Sequence, residues 1–200
     1  MKKLIIPLVV ILLFMAKIAL AETAEEWFEN GYEALEVGKY DEAIRCYKKA
    51  ISINPIVADA HINLGIAYRK KGMFDKAIAA YKKAIKLNPI HADAHYNLGI
   101  AYRKKGMIDK AIAEYKKAIK LNPNDADAHI NLGLAYGKKG MADEEISEYK
   151  KAISINPDYA EAHYNLGLAY GEKGMTDEEI SEYKKSLVKK DKQLNELLNQ

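Results

Sequence analysis

The sequence has few of the residues that stabilise small domains or form catalytic centres. Its 200 residues include one cysteine, one tryptophan and five prolines. A single cysteine excludes an intrachain disulfide and leaves either a buried thiol or a disulfide to another chain. The chain also lacks a phosphate-binding loop, a Gly-x-Ser-x-Gly motif and a His-Glu-x-x-His motif. We therefore expect no enzyme, no cofactor and no small-molecule substrate.

There is also no excess of charge beyond the first residues. The formal charge of +3 comes from Lys2, Lys3 and Lys17, in a stretch without acidic residues, so 28 basic and 28 acidic residues remain. A protein that binds nucleic acid needs a net or local cationic field. The balance therefore argues against nucleic acid as a partner.

The N-terminus has the layout of an export signal. Two lysines precede an apolar run from Leu4 to Ala16, and small residues follow at Ala19 and Ala21. A run of this length suits a signal peptide and is short of the roughly 20 residues that span a bilayer. The pattern predicts a signal peptide over residues 1–21 and a periplasmic or extracellular protein. The alternative is an uncleaved membrane anchor, and we expect membrane contact only in that case.

The chain does contain an internal repeat of 34 residues. Residues 58–91 and 92–125 are identical at 29 of 34 positions. Further copies extend the pattern over residues 22–193, in five units at 24–57, 58–91, 92–125, 126–159 and 160–193. Units of this kind bury their apolar faces only against their neighbours.

Each unit is predicted to hold two helices, because apolar residues recur at intervals of three and four in both halves. Thr23 to Glu26 forms a capping box before the first helix. Glycines suited to a left-handed cap end the first helices, at Gly72, Gly106, Gly140 and Gly174. Prolines end the second helices, at Pro55, Pro89, Pro123 and Pro157. Mid-helix glycines such as Gly65 predict close helix packing.

The last unit departs from this pattern at its end. Asp191 replaces the closing proline, so the second helix can continue. We expect a C-terminal capping extension over residues 187–200, with an apolar stripe at Leu194, Leu197 and Leu198.

At these positions the sequence resembles the tetratricopeptide repeat family, whose unit reads W-x2-L-G-x2-Y, then alanine, an aromatic residue, alanine and proline. The second unit matches it at Leu64, Gly65, Tyr68, Ala77, Tyr81, Ala84 and Pro89. The resemblance implies an all-α fold, an α-solenoid of stacked helix-turn-helix repeats that form a right-handed superhelix. First helices would line its concave groove.

The resemblance also implies which side chains face the groove. An asparagine amide can bond both backbone groups of an extended peptide, and one would meet roughly every third peptide residue. The predicted peptide-binding residues are Asn63, Asn97, Asn131 and Asn165, apolar contacts from Tyr96, Ile130 and Tyr164, and a basic rim at Arg69 and Arg103. The alternative is that the asparagines make only local hydrogen bonds. Because Gly137 and Gly171 replace the arginines, we expect a groove that changes from basic-rimmed to open.

Three other repeated features receive simpler interpretations. Histidine stands where the family has tryptophan, and we expect packing and no metal site at His61, His95, His129 and His163. Lysine pairs of the second helices alternate with Glu114, Glu148 and Glu182, which indicates a solvated outer face. Cys46 occupies the position of those glutamates, so we expect an exposed thiol and an intermolecular disulfide.

The sequence therefore predicts a non-enzymatic scaffold or adaptor of the cell envelope that binds an extended peptide or protein segment. Two alternatives stay open. One is a self-assembling, homo-oligomeric repeat protein, and the other is a membrane-anchored accessory subunit of an envelope complex.

Overall fold

The computed structural model describes residues 23–198, without the side chains of residues 183, 187 and 191–198. The predicted signal peptide and its cleavage before Glu22 lie outside the described residues, and the side chains of the C-terminal leucine stripe lie outside the described side chains. Within that range no helix is long and apolar enough to cross a bilayer.

The described chain is built from helices alone, with no strand between residues 23 and 198. In chain order these are α1 (Ala24–Glu36), α2 (Tyr40–Ile53), α3 (Ala58–Lys70), α4 (Phe74–Leu87), α5 (Ala92–Lys104), α6 (Ile108–Leu121), α7 (Ala126–Gly137), α8 (Ala142–Ile155), α9 (Ala160–Glu172) and α10 (Thr176–Leu198). Odd-numbered helices are the first helices of the five units, and even-numbered helices are the second. Each helix packs against the next, and α1, α3, α5 and α7 also touch in succession. The fold is the predicted α-solenoid of stacked helix pairs.

Local chemistry sets the helix ends. Thr23 N donates to Glu26 Oε2 at 2.7 Å and Glu26 N donates to Thr23 Oγ1 at 3.1 Å, which completes the capping box. Gly72 has φ +73°, and the next amide, Met73 N, donates to Tyr68 O at 2.9 Å. This is the left-handed turn that glycine permits.

The core runs along the stack between the two layers of helices. Its largest fully buried side chains include one tyrosine in each of the first four units, Tyr47, Tyr81, Tyr115 and Tyr149. A Cβ on Gly65 would lie 2.5 Å from Tyr81 Cε1, so the glycine lets the ring pack against the α3 backbone. The prediction of close packing at this glycine is confirmed.

Ion pairs and lysine–tyrosine contacts join neighbouring units. Lys139 Nζ lies 2.5 Å from Asp109 Oδ1 and Lys173 Nζ lies 2.5 Å from Asp143 Oδ1, and the pairs Lys71–Asp41 and Lys105–Asp75 repeat the arrangement. Lys82 Nζ sits 5.9 Å from the centroid of the Tyr102 ring in the following unit. These contacts fix each unit against the next.

The last helix is longer than the other second helices. It spans 23 residues, against 14 for α2, α4, α6 and α8. Its backbone continues past Asp191 as far as Leu198.

Candidate functional site

The concave surface of the first three units contains a depression of about 460 Å³. Side chains of α1, α3 and α5 line it, among them Phe28, Tyr32, Ile62, Asn63, Ile66 and Asn97. It therefore brings two of the predicted peptide-binding asparagines onto one surface with apolar side chains. Because successive first helices contribute, the surface continues from unit to unit.

The four asparagines do not share one environment. Asn131 Nδ2 donates to Tyr96 Oη at 3.1 Å and to Asp127 O at 2.9 Å, while its Oδ1 accepts from Arg103 Nη2 at 3.1 Å. Both amide hydrogens of Asn131 are therefore used within the protein. This residue ties the third unit to the fourth.

The other three asparagines have fewer hydrogen-bond partners among the described residues. Asn97 is 8% exposed and, in the described part of the chain, donates to Asp93 O alone, at 2.9 Å. Asn165 is 9% exposed, and its buried Nδ2 has no partner among the described residues. Asn63 is half-buried beside Tyr47, whose pKa is raised by burial. The local-bond alternative thus fits Asn131 best.

The predicted apolar contacts also differ in accessibility. Tyr164 is 44% exposed, and the Tyr96 ring is half-buried with its centroid 6.1 Å from that of Tyr115. Ile130 is 2% exposed and belongs to the core formed with α9, so the expectation that it contacts a peptide is wrong. The smaller isoleucine is covered by side chains of the following unit, whereas the Tyr164 ring lies 5.6 Å from Lys190 Nζ of α10.

The arginine-to-glycine change does not open the groove. A Cβ on Gly137 would lie 2.5 Å from Glu145 Oε1, and one on Gly171 would lie 2.7 Å from Glu179 Cδ. A carboxylate from the second helix therefore occupies the space beside each glycine. The expected open end is wrong, because the glutamates replace alanines of units 2 and 3 just where the arginines are lost.

This exchange reverses the charge beside the buried tyrosines. Burial raises the pKa of Tyr81 to about 12, against the opposing effect of the nearby Arg69 guanidinium. In the fourth unit the Tyr149 hydroxyl donates instead to Glu145 Oε1 at 3.0 Å. Burial raises the pKa of Glu145, and the Glu172 carboxylate adds to this effect. The side chain beside the buried tyrosine is thus an arginine in units 2 and 3 and a carboxylate in unit 4. The depression of the first three units is itself lined by three acidic side chains, Glu29, Asp59 and Asp93.

The repeated histidines take part in buried hydrogen bonds. His95 Nδ1 lies 2.6 Å from Glu114 Oε2, and its Nε2 lies 3.0 Å from Pro89 O. The other Glu114 oxygen accepts from Lys117 at 2.9 Å. The trios His129–Glu148–Lys151 and His163–Glu182–Lys185 repeat this contact. In the second unit Ala80 replaces the glutamate, and burial lowers the pKa of His61.

The same contacts overturn the expectation for Cys46. The glutamates at its equivalent positions are directed inward to the histidines, and Cys46 is likewise only 2% exposed. A thiol buried to this degree cannot reach a second chain, so the predicted exposed thiol and intermolecular disulfide are wrong. Among residues 23–198, no group of three or more histidine, cysteine, aspartate or glutamate side chains is placed to hold a metal ion.

Comparisons with known proteins agree with this architecture. A family model described as TPR repeat matches residues 31–72, 65–106, 101–140 and 144–174. A comparison with curated proteins gives no significant match.

Three solved structures illustrate the similarity. A crystal structure of MamA is 37% identical, covers 82% of this chain and 96% of its own, and has a TM-score of 0.76. YrrB, described as a TPR protein with an unusual peptide-binding site, is 25% identical over 88% of this chain and 91% of its own, with a TM-score of 0.71. TTC0263, a thermophilic TPR protein from Thermus thermophilus, is 25% identical over 88% of this chain and 96% of its own, with a TM-score of 0.68.

Proposed function

Because the chain belongs to the tetratricopeptide repeat family, we propose that it is a non-enzymatic scaffold of the cell envelope that binds an extended peptide or protein segment in its concave groove. One observation carries this proposal. The first helices of three successive units combine amide and apolar side chains on a single continuous depression. A peptide needs both kinds of contact, since its backbone requires hydrogen bonds and its side chains require apolar surface.

The fold itself has a precedent for binding a peptide. The peptide-binding site of YrrB supports a peptide as the partner in this fold.

Self-assembly by end-to-end stacking has less support. Inside the stack, Leu98 and Tyr102 are buried between units and Lys105 pairs with the preceding unit. The first unit has Asn30, Ala34 and Val37 at the three corresponding positions. Its outer face therefore lacks the leucine, tyrosine and lysine that join one unit to the next.

The location in the envelope rests on the pattern of residues 1–21. N-terminal sequencing of the protein from its own cells tests it, with Glu22 as the expected first residue. An intact Met1 in the membrane fraction would support the anchored subunit instead.

A capture experiment tests the groove. The full chain and the variant N63A/N97A are incubated with the native envelope fraction, and bound proteins are joined with a lysine-reactive cross-linker and identified by mass spectrometry. We expect a partner that the wild type retains and the variant loses, cross-linked to Lys70 or Lys104 at the ends of α3 and α5.

Two results would contradict the proposal. One is equal capture by both proteins, and the other is a partner cross-linked only through Lys83 or Lys117 of the second helices. Melting temperatures of the variant and the wild type are compared first, so that a folding defect is not taken for a binding defect.

A further inference from the structure

Charge is distributed very unevenly along this neutral chain. Residues 58–125, which are units 2 and 3, contain fourteen basic and six acidic side chains, whereas residues 126–193 contain ten basic and thirteen acidic ones. A local cationic field therefore exists, although the total charge conceals it. Within units 2 and 3 its largest continuous part is on the second helices.

Eight lysines form this part, which we name the lysine face: Lys76, Lys82, Lys83 and Lys86 of α4, and Lys110, Lys116, Lys117 and Lys120 of α6. All eight are exposed. At about 100° per residue, the four lysines of α4 fall within roughly 120° of the helix circumference. Lys82 of α4 and Lys110 of α6 lie 5.9 and 5.7 Å from the centroid of the same Tyr102 ring, which brings the two rows together.

The acidic side chains of α4 and α6 neutralise only a small part of this face. Asp75 and Asp109 pair with Lys105 and Lys139 of the following units. Glu114 is directed inward to His95, with one contact to Lys117. Of the glutamates that indicated a solvated, balanced surface, Glu114 alone lies on α4 or α6, and it pairs with one of the eight lysines, Lys117.

We propose that the lysine face adsorbs to an anionic lipid bilayer surface through charge alone. The face lacks the anchors of the other macromolecular partners. The exposed positions between its lysines hold Asp75, Ala79, Asp109 and Ala113, whereas protein interfaces rely on aromatic, methionine or arginine side chains and are depleted in lysine. The rings beneath the lysines, Tyr68 and Tyr102, are 7% and 6% exposed, so neither offers a face for stacking a nucleobase. Anionic headgroups require only positive charge, and each lysine near such a surface strengthens adsorption roughly fivefold.

Adsorption through this face does not depend on residues 1–21. The membrane contact expected from the sequence required an uncleaved leader, whereas the lysine face provides one in either case. The groove stays accessible, because it is lined by the first helices.

The repeats supply a test variant whose new residues already occur at the same positions in other units. Positions equivalent to Lys76 and Lys110 hold Glu42, Glu144 and Glu178, and those equivalent to Lys86 and Lys120 include Ser52 and Ser154. K76E/K86S/K110E/K120S therefore lowers the charge by six units with substitutions that this fold accommodates. A matched control, K70E/K104E/K138E, lowers the charge by the same six units on the first helices and their ends, where units 1 and 5 have Glu36 and Glu172.

The measurement is co-sedimentation of the full chain with phosphatidylcholine vesicles, with or without phosphatidylglycerol, at low and high salt. Residues 1–21 are common to every sample, so any adsorption through their apolar run is the same for all variants. We expect salt-sensitive adsorption to anionic vesicles, at least about tenfold weaker for the lysine-face variant and retained by the control.

Three results would overturn the proposal. The first is an equal loss of adsorption in both variants, which would show that net charge alone matters. The second is a wild type with no preference for anionic vesicles. The third is tighter binding to a DNA duplex than to vesicles. Circular dichroism confirms first that both variants are folded.

Discussion

Two glutamates three residues apart on α8 should respond in opposite ways to the same substitution. Glu145 and Glu148 are 9% and 7% exposed, so both are buried to nearly the same degree. Glu148 accepts hydrogen bonds from His129 at 2.6 Å and Lys151 at 2.7 Å, and these outweigh burial and hold its pKa below the usual range. Within the described part of the chain, the Glu145 side chain accepts from the Tyr149 hydroxyl alone, and burial raises its pKa.

Replacement by glutamine keeps the shape and removes the charge. Hydrogen bonds to charged groups contribute about 1.5–3 kcal/mol, and half-exposed Lys151 adds little. We therefore expect E148Q to lose about 2 kcal/mol at pH 7, or roughly 4–8 °C in melting temperature for a chain of this size. E145Q removes a poorly solvated charge and should gain about 0–1 kcal/mol.

The direction of each pKa shift determines how the stability effect of the substitution changes with pH. The folded pKa of Glu148 lies below its ordinary value of 4.5, so its contribution is complete above pH 4.5 and is lost as the pH falls through the folded value. The deficit of E148Q should therefore shrink below pH 4.5. For Glu145 the folded pKa is raised, so stability is fully present below pH 4.5 and is lost as the pH rises through the folded value. The advantage of E145Q should vanish near pH 4.5.

Thermal unfolding followed by circular dichroism at several pH values measures both effects. S147A, at an exposed position on the same helix, is the control and should change stability by less than about 0.5 kcal/mol. Shifts of the same sign in E145Q and E148Q at pH 7, or an unchanged E148Q, would refute the assignment of one glutamate as paired and the other as poorly solvated.

Three further predictions concern packing and accessibility. Gly99→Ala should lower the free energy of unfolding by about 1–3 kcal/mol, because its Cβ would lie 2.6 Å from a buried tyrosine ring. Gly106→Ala should lower it by about 1–2 kcal/mol, because this residue has a φ of +74°. Unchanged thermal unfolding of Gly99→Ala would contradict the packing. Cys46 should react with a thiol reagent only after unfolding, and fast labelling of the native protein would show that it is accessible. Asn131→Ala should lower the free energy of unfolding by about 1–2 kcal/mol and Asn165→Ala by less, and equal losses would count against the unequal roles of the asparagines.

Features that depend on neighbouring backbone could be predicted from the sequence. The capping box at Thr23, the left-handed turn at Gly72 and the helix end before Pro89 each require only a few adjacent residues. The 34-residue period then fixes the number of helices and their pairing. The family and the solenoid followed from the same pattern, because every unit must cover the apolar face of the next.

The exchange of arginine for glutamate was partly visible in the sequence. Gly137 and Gly171 marked the loss of two arginines, and Glu145 and Glu179 were seen in place of alanine. The two changes lie eight residues apart on different helices, so nothing local connects them. Only the packed helix pair shows that each carboxylate fills the space beside a glycine.

Side-chain roles that depend on distant partners needed the tertiary structure. Equivalent asparagines differ because Asn131 meets Tyr96 and Arg103 of the preceding unit, 35 and 28 residues away. Cys46 is buried because its position is directed at the neighbouring first helix, which a helical period alone does not reveal. The sequence by itself determined the helices and their repetition, since these follow from local backbone preferences and a periodic apolar face. The tertiary structure decided which polar groups are occupied, buried or open to a partner, since that depends on what the adjacent helices place opposite them.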